Sequence, residues 1–437
     1  MKASFYNYEL PYSEEENKMI LYNSRTNALA LINAEQYHAY VDFCQNGKGI
    51  SDSQLLSDLE LGGFVIDDQV DELDIIRLSL LKSRFNTSRL ALTIAPTSDC
   101  NFRCIYCYEK ESLRTSFMSK EVQHRVIELI KQMANTISVL RITWYGGEPL
   151  LALDSIEYMS KAVLEICKEY KISYSAGIIT NGYLLTPEVA KKLGEMKVTS
   201  IQITIDGMQE EHDKRRPLKG GLPTYKKIIN NLVAAQNDLP CKVAIRINAD
   251  KSNINQVDHV VKDLKDHGLD NVTSTYLALV ENTNATYSSN KCFCAEEFAV
   301  EEYDFHVRNS KQGVRSYPHL VNNVCIADSR CGMVIDSDGS IYKCWSEIGI
   351  KNRAIGNLLE KTNYNFTVIH EYLLYDPTRD PECINCKCLP ICMGGCPHRR
   401  VFAPEIRCTF FKYYMTRYLS DAAKLLKSKK GAERTCL

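Results

Sequence analysis

The sequence predicts an α/β protein built around a βα repeat that is closed or partly closed like a shortened barrel. Six apolar, β-rich runs alternate with helical patterns, and most are nearly continuous in hydrophobicity, as buried parallel strands are. Glycine, carboxylate and cysteine residues follow several of these runs, at the strand ends where ligands bind in βα folds. The runs cover residues 90–96, 139–146, 176–182, 200–207, 242–249 and 272–280.

The segments between the runs carry helix signals. In SKEVQHRVIELIKQM, Val122, Val126, Ile130 and Met133 recur at helical spacing and predict one buried face. In TPEVAKKLGEM, Thr186 is a predicted N-cap, and a proline occupies the first helical position. Strand and helix signals together predict a central domain over residues 89–285.

Residues 1–88 predict a separate small domain. A hairpin over 19–33 is followed by a helix near AEQYHAYVDF, a second helix that stops at Gly62–Gly63, another strand and a linking helix. These proportions are winged-helix-like, and no catalytic constellation is evident in the segment. We therefore expect residues 1–88 to serve binding, with a plain structural subdomain as the alternative.

Composition restricts the classes of function. The chain has 437 residues and a formal net charge of −1 without a long basic run, which gives little electrostatic support for nucleic-acid binding. It has no signal-peptide core and no apolar run near the roughly 18 residues of a membrane span. We predict a cytoplasmic protein with no membrane segment. In a reducing compartment, 18 cysteines favour metal ligation over disulfides.

Three of these cysteines follow the first predicted strand at C-x3-C-x2-C spacing. Cys100, Cys104 and Cys107 supply three thiolates, whereas a fully ligated [4Fe–4S] cluster takes four. Three ligands leave one iron open to a substrate or cofactor. On spacing alone, a zinc site with a fourth ligand from elsewhere, or a group of buried structural cysteines, remains an alternative.

The stretch CNFRCIYCYE, together with GGEPLL at 146–151, resembles the radical S-adenosylmethionine (SAM) superfamily. The resemblance covers about residues 90–280 and implies a partial (βα)6 barrel with the cysteine loop after its first strand. It implies a [4Fe–4S] cluster whose fourth iron binds the amino and carboxylate groups of SAM. One-electron reduction then cleaves SAM to a 5′-deoxyadenosyl radical.

The resemblance also implies roles for single residues. The cluster ligands would be Cys100, Cys104 and Cys107, and Tyr106 would lie against the adenine. The methionine amino group would be bound by the GGE motif, Gly146, Gly147 and Glu148. In TIDG, Thr204 would contact the ribose or the carboxylate of SAM. Arg216 would pair with the same carboxylate. Arg246 is a further carboxylate candidate. For Thr204, Arg216 and Arg246, an ordinary polar role in a loop or strand remains an alternative.

The last quarter of the chain carries a second cysteine pattern. Its spacing is C-x5-C-x12-C, then C-x2-C-x5-C-x3-C, then a final cysteine, enough for two [4Fe–4S] clusters. Two zinc sites are the alternative. The pattern resembles the SPASM domain of radical SAM peptide-modifying enzymes, including a G-x4-C element at Gly339–Cys344, and this predicts such a domain over residues 286–437. The resemblance assigns Cys325, Cys331, Cys344 and Cys396 to auxiliary cluster I, and Cys383, Cys386, Cys392 and Cys408 to auxiliary cluster II.

Of the seven cysteines outside these ligand sets, four have no interpretation: Cys388 inside the motif, and Cys292, Cys294 and Cys436 outside it. Cys388 also leaves the ligand set of cluster II uncertain by one residue. No catalytic base is assigned.

The combined resemblance implies a maturase of ribosomally made peptides, most like the streptide-type cyclases that join a lysine carbon to a tryptophan ring carbon. It implies SAM, three [4Fe–4S] clusters, an electron donor such as flavodoxin or ferredoxin, and a precursor whose leader pairs beside the hairpin. Thioether-forming maturases share the same motifs. An anaerobic sulfatase maturase is another alternative, although such enzymes carry a catalytic aspartate where this chain has Trp345, and they lack the N-terminal extension. A non-enzymatic electron carrier would leave the open iron and the GGE motif unexplained.

Overall fold

The computed structural model describes residues 1–12, 15, 17–110, 113–282, 287–309, 318–321, 325–360 and 364–429, without the side chains of residues 406 and 426–429. Cys436 and the predicted domain boundary at residue 285 lie outside these ranges. The chain divides into two compact units, one of residues 1–83, 294–324 and 375–437, the other of residues 84–293 and 325–374. Within the described ranges, no helix is long and apolar enough to cross a membrane.

The N-terminal region contains the predicted hairpin and helices. In chain order, its elements are β1 (Lys2–Ala3), β2 (Asn7–Pro11), β3 (Lys18–Asn23), β4 (Ala28–Asn33), α1 (Ala34–Asn46), α2 (Ser53–Leu61), β5 (Val65–Ile66) and α3 (Glu72–Arg84). Strands β2, β3 and β4 form an antiparallel sheet in that order. Asn33 caps α1 by accepting from the backbone N–H of Gln36. The winged-helix-like assignment of this region stays a prediction.

All six predicted strands of the central repeat are confirmed. The elements are β6 (Arg89–Ile94), α4 (Lys120–Met133), β7 (Val139–Trp144), α5 (Leu153–Tyr170), β8 (Ser173–Thr180), α6 (Pro187–Glu195), β9 (Val198–Thr204), α7 (Gln209–Arg215), α8 (Tyr225–Ala235), β10 (Val243–Ala249), α9 (Val257–Asp266) and β11 (Thr273–Leu279). The predicted cap is also present, because the Thr186 side chain accepts from Val189 N–H at the start of α6. Val122, Val126 and Ile130 are buried on α4.

Strands β6 to β11 pair in parallel in sequence order. The remaining elements are α10 (Ala295–Asn309), β12 (Gly332–Ile335), β13 (Ser340–Tyr342), β14 (Gly356–Asn357), α11 (Phe366–Leu373), α12 (Pro381–Ile384), α13 (Leu389–Cys392), α14 (Pro397–Phe402) and α15 (Phe411–Lys429). Strand β12 pairs with the free side of β6, while β11 has only β10 as a neighbour among the described strands. The six-stranded repeat is therefore open, which matches the partly closed alternative.

This parallel order places the C-terminal ends of β6 to β10 at one edge of the sheet. The segments that follow those strands carry the residues that the sequence predicts for the site. The loop after β6 contains the three cysteines, and the loop after β7 contains the GGE motif.

Candidate functional site

The three-cysteine loop after β6 is fixed by backbone hydrogen bonds to the last residue of α7 and to the segment that follows it. Arg103 N–H donates to Pro217 O at 2.8 Å, and Ile105 N–H donates to Arg215 O at 3.0 Å. Phe102 is buried and forms a β-bridge with Leu218. The loop is thus a part of the fold with defined backbone partners.

The three thiols of this loop lie close enough to affect one another. Burial raises the pKa of Cys100, and the neighbouring Glu148 and Cys104 raise it further. Burial also raises the pKa of Cys107 to about 12, with Glu109 and Cys104 adding to the effect. A bound metal cation stabilises thiolates, so this donor set fits the predicted iron–sulfur cluster. In the described part of the chain, no three His, Cys, Asp or Glu side chains are already arranged as a metal site. The agreement with an iron–sulfur cluster therefore concerns the type of ligand atom and does not extend to the arrangement of the three sulfurs.

The GGE motif lies directly against the start of the cysteine loop. Gly146 has φ +102°, a region that side-chain-bearing residues avoid. A Cβ at Gly147 would lie 2.1 Å from the backbone oxygen of Asp99, and Glu148 N–H donates to the same oxygen at 2.9 Å. Both glycines are therefore required by the close approach of two backbone segments beside Cys100.

The carboxylate of Glu148 is buried and already accepts three hydrogen bonds. The donors are Leu150 N–H at 3.0 Å, the Thr180 hydroxyl at 2.7 Å and Asn181 N–H at 2.7 Å. Burial nevertheless raises the pKa of this carboxyl group, despite the opposing hydrogen bonds. A carboxylate offers about four acceptor positions, so one remains for a ligand donor such as an ammonium group.

Tyr106 takes part in a polar network that the sequence does not reveal. Its hydroxyl donates to Asp206 and accepts from Arg216 Nη1 at 2.6 Å and from Asn248 Nδ2 at 3.0 Å. The Arg215 guanidinium carbon lies 5.2 Å from the centre of the Tyr106 ring. The structure therefore brings predicted residues Tyr106 and Arg216 together, while the contact of Tyr106 with adenine stays a prediction.

Arg216 retains one free donor in this network. Its guanidinium is buried, and among the described residues its Nε has no hydrogen-bond partner. An unpaired buried N–H group is costly, and a ligand carboxylate would satisfy it. Thr204 ends β9 opposite Arg246 of β10, whose Nε donates to Asn248 Oδ1 at 2.7 Å. Thr204 and Arg246 therefore adjoin the same network.

Sequence reasoning missed the buried ion pair behind this network. Arg215 Nη1 lies 2.8 Å from Asp250 Oδ2, both side chains are almost fully buried, and Asp206 Oδ2 lies 3.7 Å from Arg215 Nε. Asn253 Nδ2 donates to Asp206 O at 2.7 Å. The signal that could have found Asp250 is the one used for Cys100: it directly follows a predicted strand, β10.

In the first unit, the predicted ligands of auxiliary cluster II surround one pocket. Cys388 and Lys412 line it too, and Lys412 Nζ lies 3.7 Å from Cys408 Sγ. The predicted ligands in its wall are Cys383, Cys386, Cys392 and Cys408. Cys396 belongs to the same unit, and its N–H donates to Arg407 O at 3.1 Å. The pocket thus brings the four predicted ligands together with Cys388, and the ligand set of cluster II stays a prediction.

In the second unit, Cys331 and Cys344 are buried, whereas Cys325 is exposed. Burial raises the pKa of Cys344, and the nearby Cys325 thiol contributes to the increase. These three predicted ligands of auxiliary cluster I belong to this unit, and the fourth, Cys396, belongs to the first. The four-ligand set stays a prediction.

Trp345, directly after Cys344, stacks on Tyr145 with ring centres 5.4 Å apart. Burial raises the pKa of Tyr145, and the thiols of Cys107 and Cys344 also contribute. The Tyr145 ring therefore lies near the three-cysteine loop and near the loop of Cys344. Trp345, stacked on Tyr145, occupies the position at which sulfatase maturases are expected to carry an acid.

Comparison with known proteins gives the same picture of the central domain. Residues 94–286 match the model of the Radical SAM superfamily. The chain is 27% identical to a cysteine-type anaerobic sulfatase-maturating enzyme of Clostridium perfringens, covering 70% of this chain and 88% of the relative. It is 24% identical to mycofactocin maturase MftC of Mycolicibacterium smegmatis, covering 72% of this chain and 79% of the relative.

Solved structures share the fold. The native enzyme anSMEcpe with bound AdoMet matches with a TM-score of 0.59 at 21% identity, over 79% of this chain and 100% of that chain. SuiB of Streptococcus suis, solved with its precursor peptide SuiA, matches with a TM-score of 0.54 at 17% identity, over 94% of this chain and 99% of that chain. The second match thus extends over more of the present chain than the first.

Proposed function

Because residues 94–286 match the model of the Radical SAM superfamily, we propose that this protein modifies a ribosomally made precursor peptide and forms an intramolecular carbon–carbon crosslink between lysine and tryptophan. When bound, SAM and the first [4Fe–4S] cluster supply a 5′-deoxyadenosyl radical that abstracts a substrate hydrogen. The chain's own residues hold these groups, orient the peptide and exclude water. A flavodoxin or ferredoxin would be the electron donor.

The proposed binding roles follow from the contacts around the cysteine loop. Cys100, Cys104 and Cys107 hold the first cluster beside the GGE backbone. Glu148 offers its remaining acceptor position to the SAM ammonium group. Arg216 offers its unpaired Nε to the SAM carboxylate. These two opposite charges would fix the two ends of one amino-acid group.

The auxiliary clusters have separate proposed ligand sets, taken from the cysteine spacing. Cluster II would be held in the pocket lined by Cys383, Cys386, Cys392 and Cys408. Cluster I would be held by Cys325, Cys331, Cys344 and Cys396. Two additional clusters favour a reaction in which the substrate is oxidised overall, because they can accept an electron from it.

The N-terminal sheet supplies the proposed site for the leader peptide. Strand β4 pairs with β3 on one side and has no strand on its other side among the described residues. An extended peptide could add there through backbone hydrogen bonds. The fold match that extends over 94% of this chain, and so into the region before the radical SAM domain, is the observation that carries the proposal.

A sulfatase-type maturase is the second candidate. The 27% identity to such an enzyme of C. perfringens favours it. The stacked Trp345 counts against it, because an indole cannot act as the general base that this reaction needs. A thioether-forming maturase is a third candidate, since the motifs are shared.

Tandem mass spectrometry of short peptides encoded beside the gene distinguishes the three reactions. Each peptide is incubated anaerobically with reconstituted enzyme, SAM and reductant. A carbon–carbon crosslink gives a product about two hydrogens lighter than the unmodified peptide. Fragment ions from the segment between the two joined residues are then missing. The crosslink should form even when the cysteines of the substrate have been alkylated beforehand. Prior alkylation would prevent a thioether, and a formylglycine product would react with a hydrazide probe. A precursor left unchanged while 5′-deoxyadenosine accumulates would refute the peptide assignment.

Proline substitutions in β4 test the leader site. In an edge strand, alternate N–H groups point outward, so one of Ala30→Pro and Leu31→Pro removes an outward N–H and the other removes a ladder bond. The variant that keeps the wild-type thermal midpoint should bind the precursor at least tenfold more weakly, and equal affinity would contradict the site. Deletion of residues 1–88 is a poorer test, because Tyr22 packs against Cys388.

A further inference from the structure

Trp345 carries an exposed indole ring on a fixed backbone. The chain has two tryptophans, of which Trp144 is completely buried and Trp345 is 37% exposed. Trp345 begins a short 3₁₀ helix that ends at Glu347, and its carbonyl oxygen accepts from Ile348 N–H at 3.1 Å. A large apolar ring held at the surface offers contact area to another molecule.

The residues on both sides of the indole are anchored in the protein interior. Cys344, directly before Trp345, is buried. Glu347 is fully buried, and its Oε1 accepts from Arg353 Nε at 2.6 Å and from the Tyr372 hydroxyl at 2.9 Å. These contacts fix the backbone that carries the ring. Binding to a preformed surface costs less conformational entropy than ordering a mobile one.

The indole stacks on Tyr145, which lies beside the proposed SAM site. The centres of the two rings are 5.4 Å apart, and the rings are inclined by 23°. Tyr145 directly precedes the GGE motif and packs against a buried apolar cluster. Its hydroxyl shares a hydrogen bond with the hydroxyl of Tyr108, which directly follows Cys107. The stacked pair of Tyr145 and Trp345 therefore adjoins both segments that are expected to hold SAM and the first cluster.

A substrate that reaches the proposed radical site would lie close to this pair, and two kinds of side chain can lie on an indole. A lysine ammonium on a solvent-exposed ring gains little, because it gives up part of its hydration for the cation–π contact. An aromatic ring gains more, because it buries apolar surface and also stacks. The exposure of Trp345 therefore favours an aromatic occupant.

We propose that Trp345 is a specificity-determining residue that binds the tryptophan side chain of the precursor by stacking, while Tyr145 supports the indole from its opposite face. The occupant would be the third ring of the stack. The inference rests on the proposed function and deepens it, because it assigns the contact that presents one residue of the precursor to the radical site. The leader site on β4 would bind a different part of the same peptide.

The test is a double-mutant cycle on the affinity of the reconstituted full-length protein for the precursor that mass spectrometry identifies. Trp345→Leu keeps an apolar side chain but removes the ring, and a synthetic precursor with leucine in place of its tryptophan removes the other ring. Either change alone should weaken binding about 2- to 12-fold, as expected for one aromatic stack. Both changes together should weaken it little further, because only one contact is lost. Trp345→Phe keeps a ring and should retain part of the affinity.

Tyr158→Leu is the matched control. Tyr158 is 38% exposed on α5 and stacks on His124 of α4 with the rings inclined by 24°, so this pair resembles that of Tyr145 and Trp345. The control should leave precursor affinity unchanged. Iron content is measured on every variant, because Trp345 follows a predicted cluster ligand. If Trp345→Leu loses iron, the cycle is run with Trp345→Phe, for which a smaller but still non-additive loss is expected.

Losses that add in the double-mutant cycle would show that the two rings do not touch, and they would overturn the inference. Equal affinity of the wild-type protein for the tryptophan and leucine peptides would overturn it too. So would a cycle in which Trp345 couples to the lysine of the peptide, replaced by norleucine, and not to its tryptophan. A wild-type protein that neither binds nor modifies the precursor would instead refute the proposed function, as would a modified precursor without tryptophan.

Discussion

Glu148→Gln is the most informative single substitution in the central domain, because it changes charge with little change in shape. The amide oxygen can still accept from Leu150 N–H and the Thr180 hydroxyl, but the amide NH2 group then faces Asn181 N–H. One charge-assisted bond is replaced by a contact between two donors. We expect a destabilisation of about 2–4 kcal/mol from this buried mismatch.

The same substitution removes the acceptor that we assign to the SAM ammonium group. A hydrogen bond to a charged group contributes about 1.5–3 kcal/mol, so SAM affinity should fall roughly 10- to 150-fold. Thr180→Val is the matched control, because it removes one of the three donors and leaves the carboxylate in place. It should lower stability by about 1–2 kcal/mol and change SAM affinity little.

Thermal unfolding by circular dichroism and equilibrium dialysis with labelled SAM measure the two effects separately. If the 437-residue chain unfolds as one unit, the midpoint of Glu148→Gln should fall by roughly 2–4 °C. A midpoint within about 1 °C of wild type would refute the three-bond description. A lowered midpoint with unchanged SAM affinity would show that Glu148 only supports the loop, and the ammonium assignment would then be wrong.

Three further substitutions test other features. Gly147→Ala forces a Cβ to within 2.1 Å of Asp99 O, so it should displace the cysteine loop and abolish SAM cleavage, as measured by 5′-deoxyadenosine release. Asp250→Asn removes the negative charge that pairs with the buried Arg215 guanidinium, so it should lower the free energy of unfolding by about 3–5 kcal/mol. A thermal unfolding midpoint equal to that of the wild type would contradict a buried ion pair. Burial raises the pKa of Glu302 to about 7, so the folded protein keeps this proton at a pH where the unfolded chain has lost it. The free energy of unfolding should therefore fall as pH rises from about 4.5 through 7. Glu302→Gln should flatten this pH dependence, and parallel profiles for the variant and the wild type would contradict the assignment.

The sequence by itself determined the helices and strands and the set of cysteines that can bind metal. The six strands are recognisable because each buried strand is a nearly continuous apolar run, and this information lies within a few consecutive residues. The cysteine spacings and the GGE motif are equally local. The cap at Thr186 also follows from the residues beside it.

Only the tertiary structure decided which distant side chains meet. Arg215 and Asp250 follow different strands, and the sequence does not say that the parallel register brings them to 2.8 Å. Tyr8 and Cys388 are 380 residues apart, yet they form one hydrogen bond in the wall of a cysteine pocket. Hydrophobic periodicity encodes which face of an element is buried, but the choice of buried partner depends on packing between elements, which no local pattern contains.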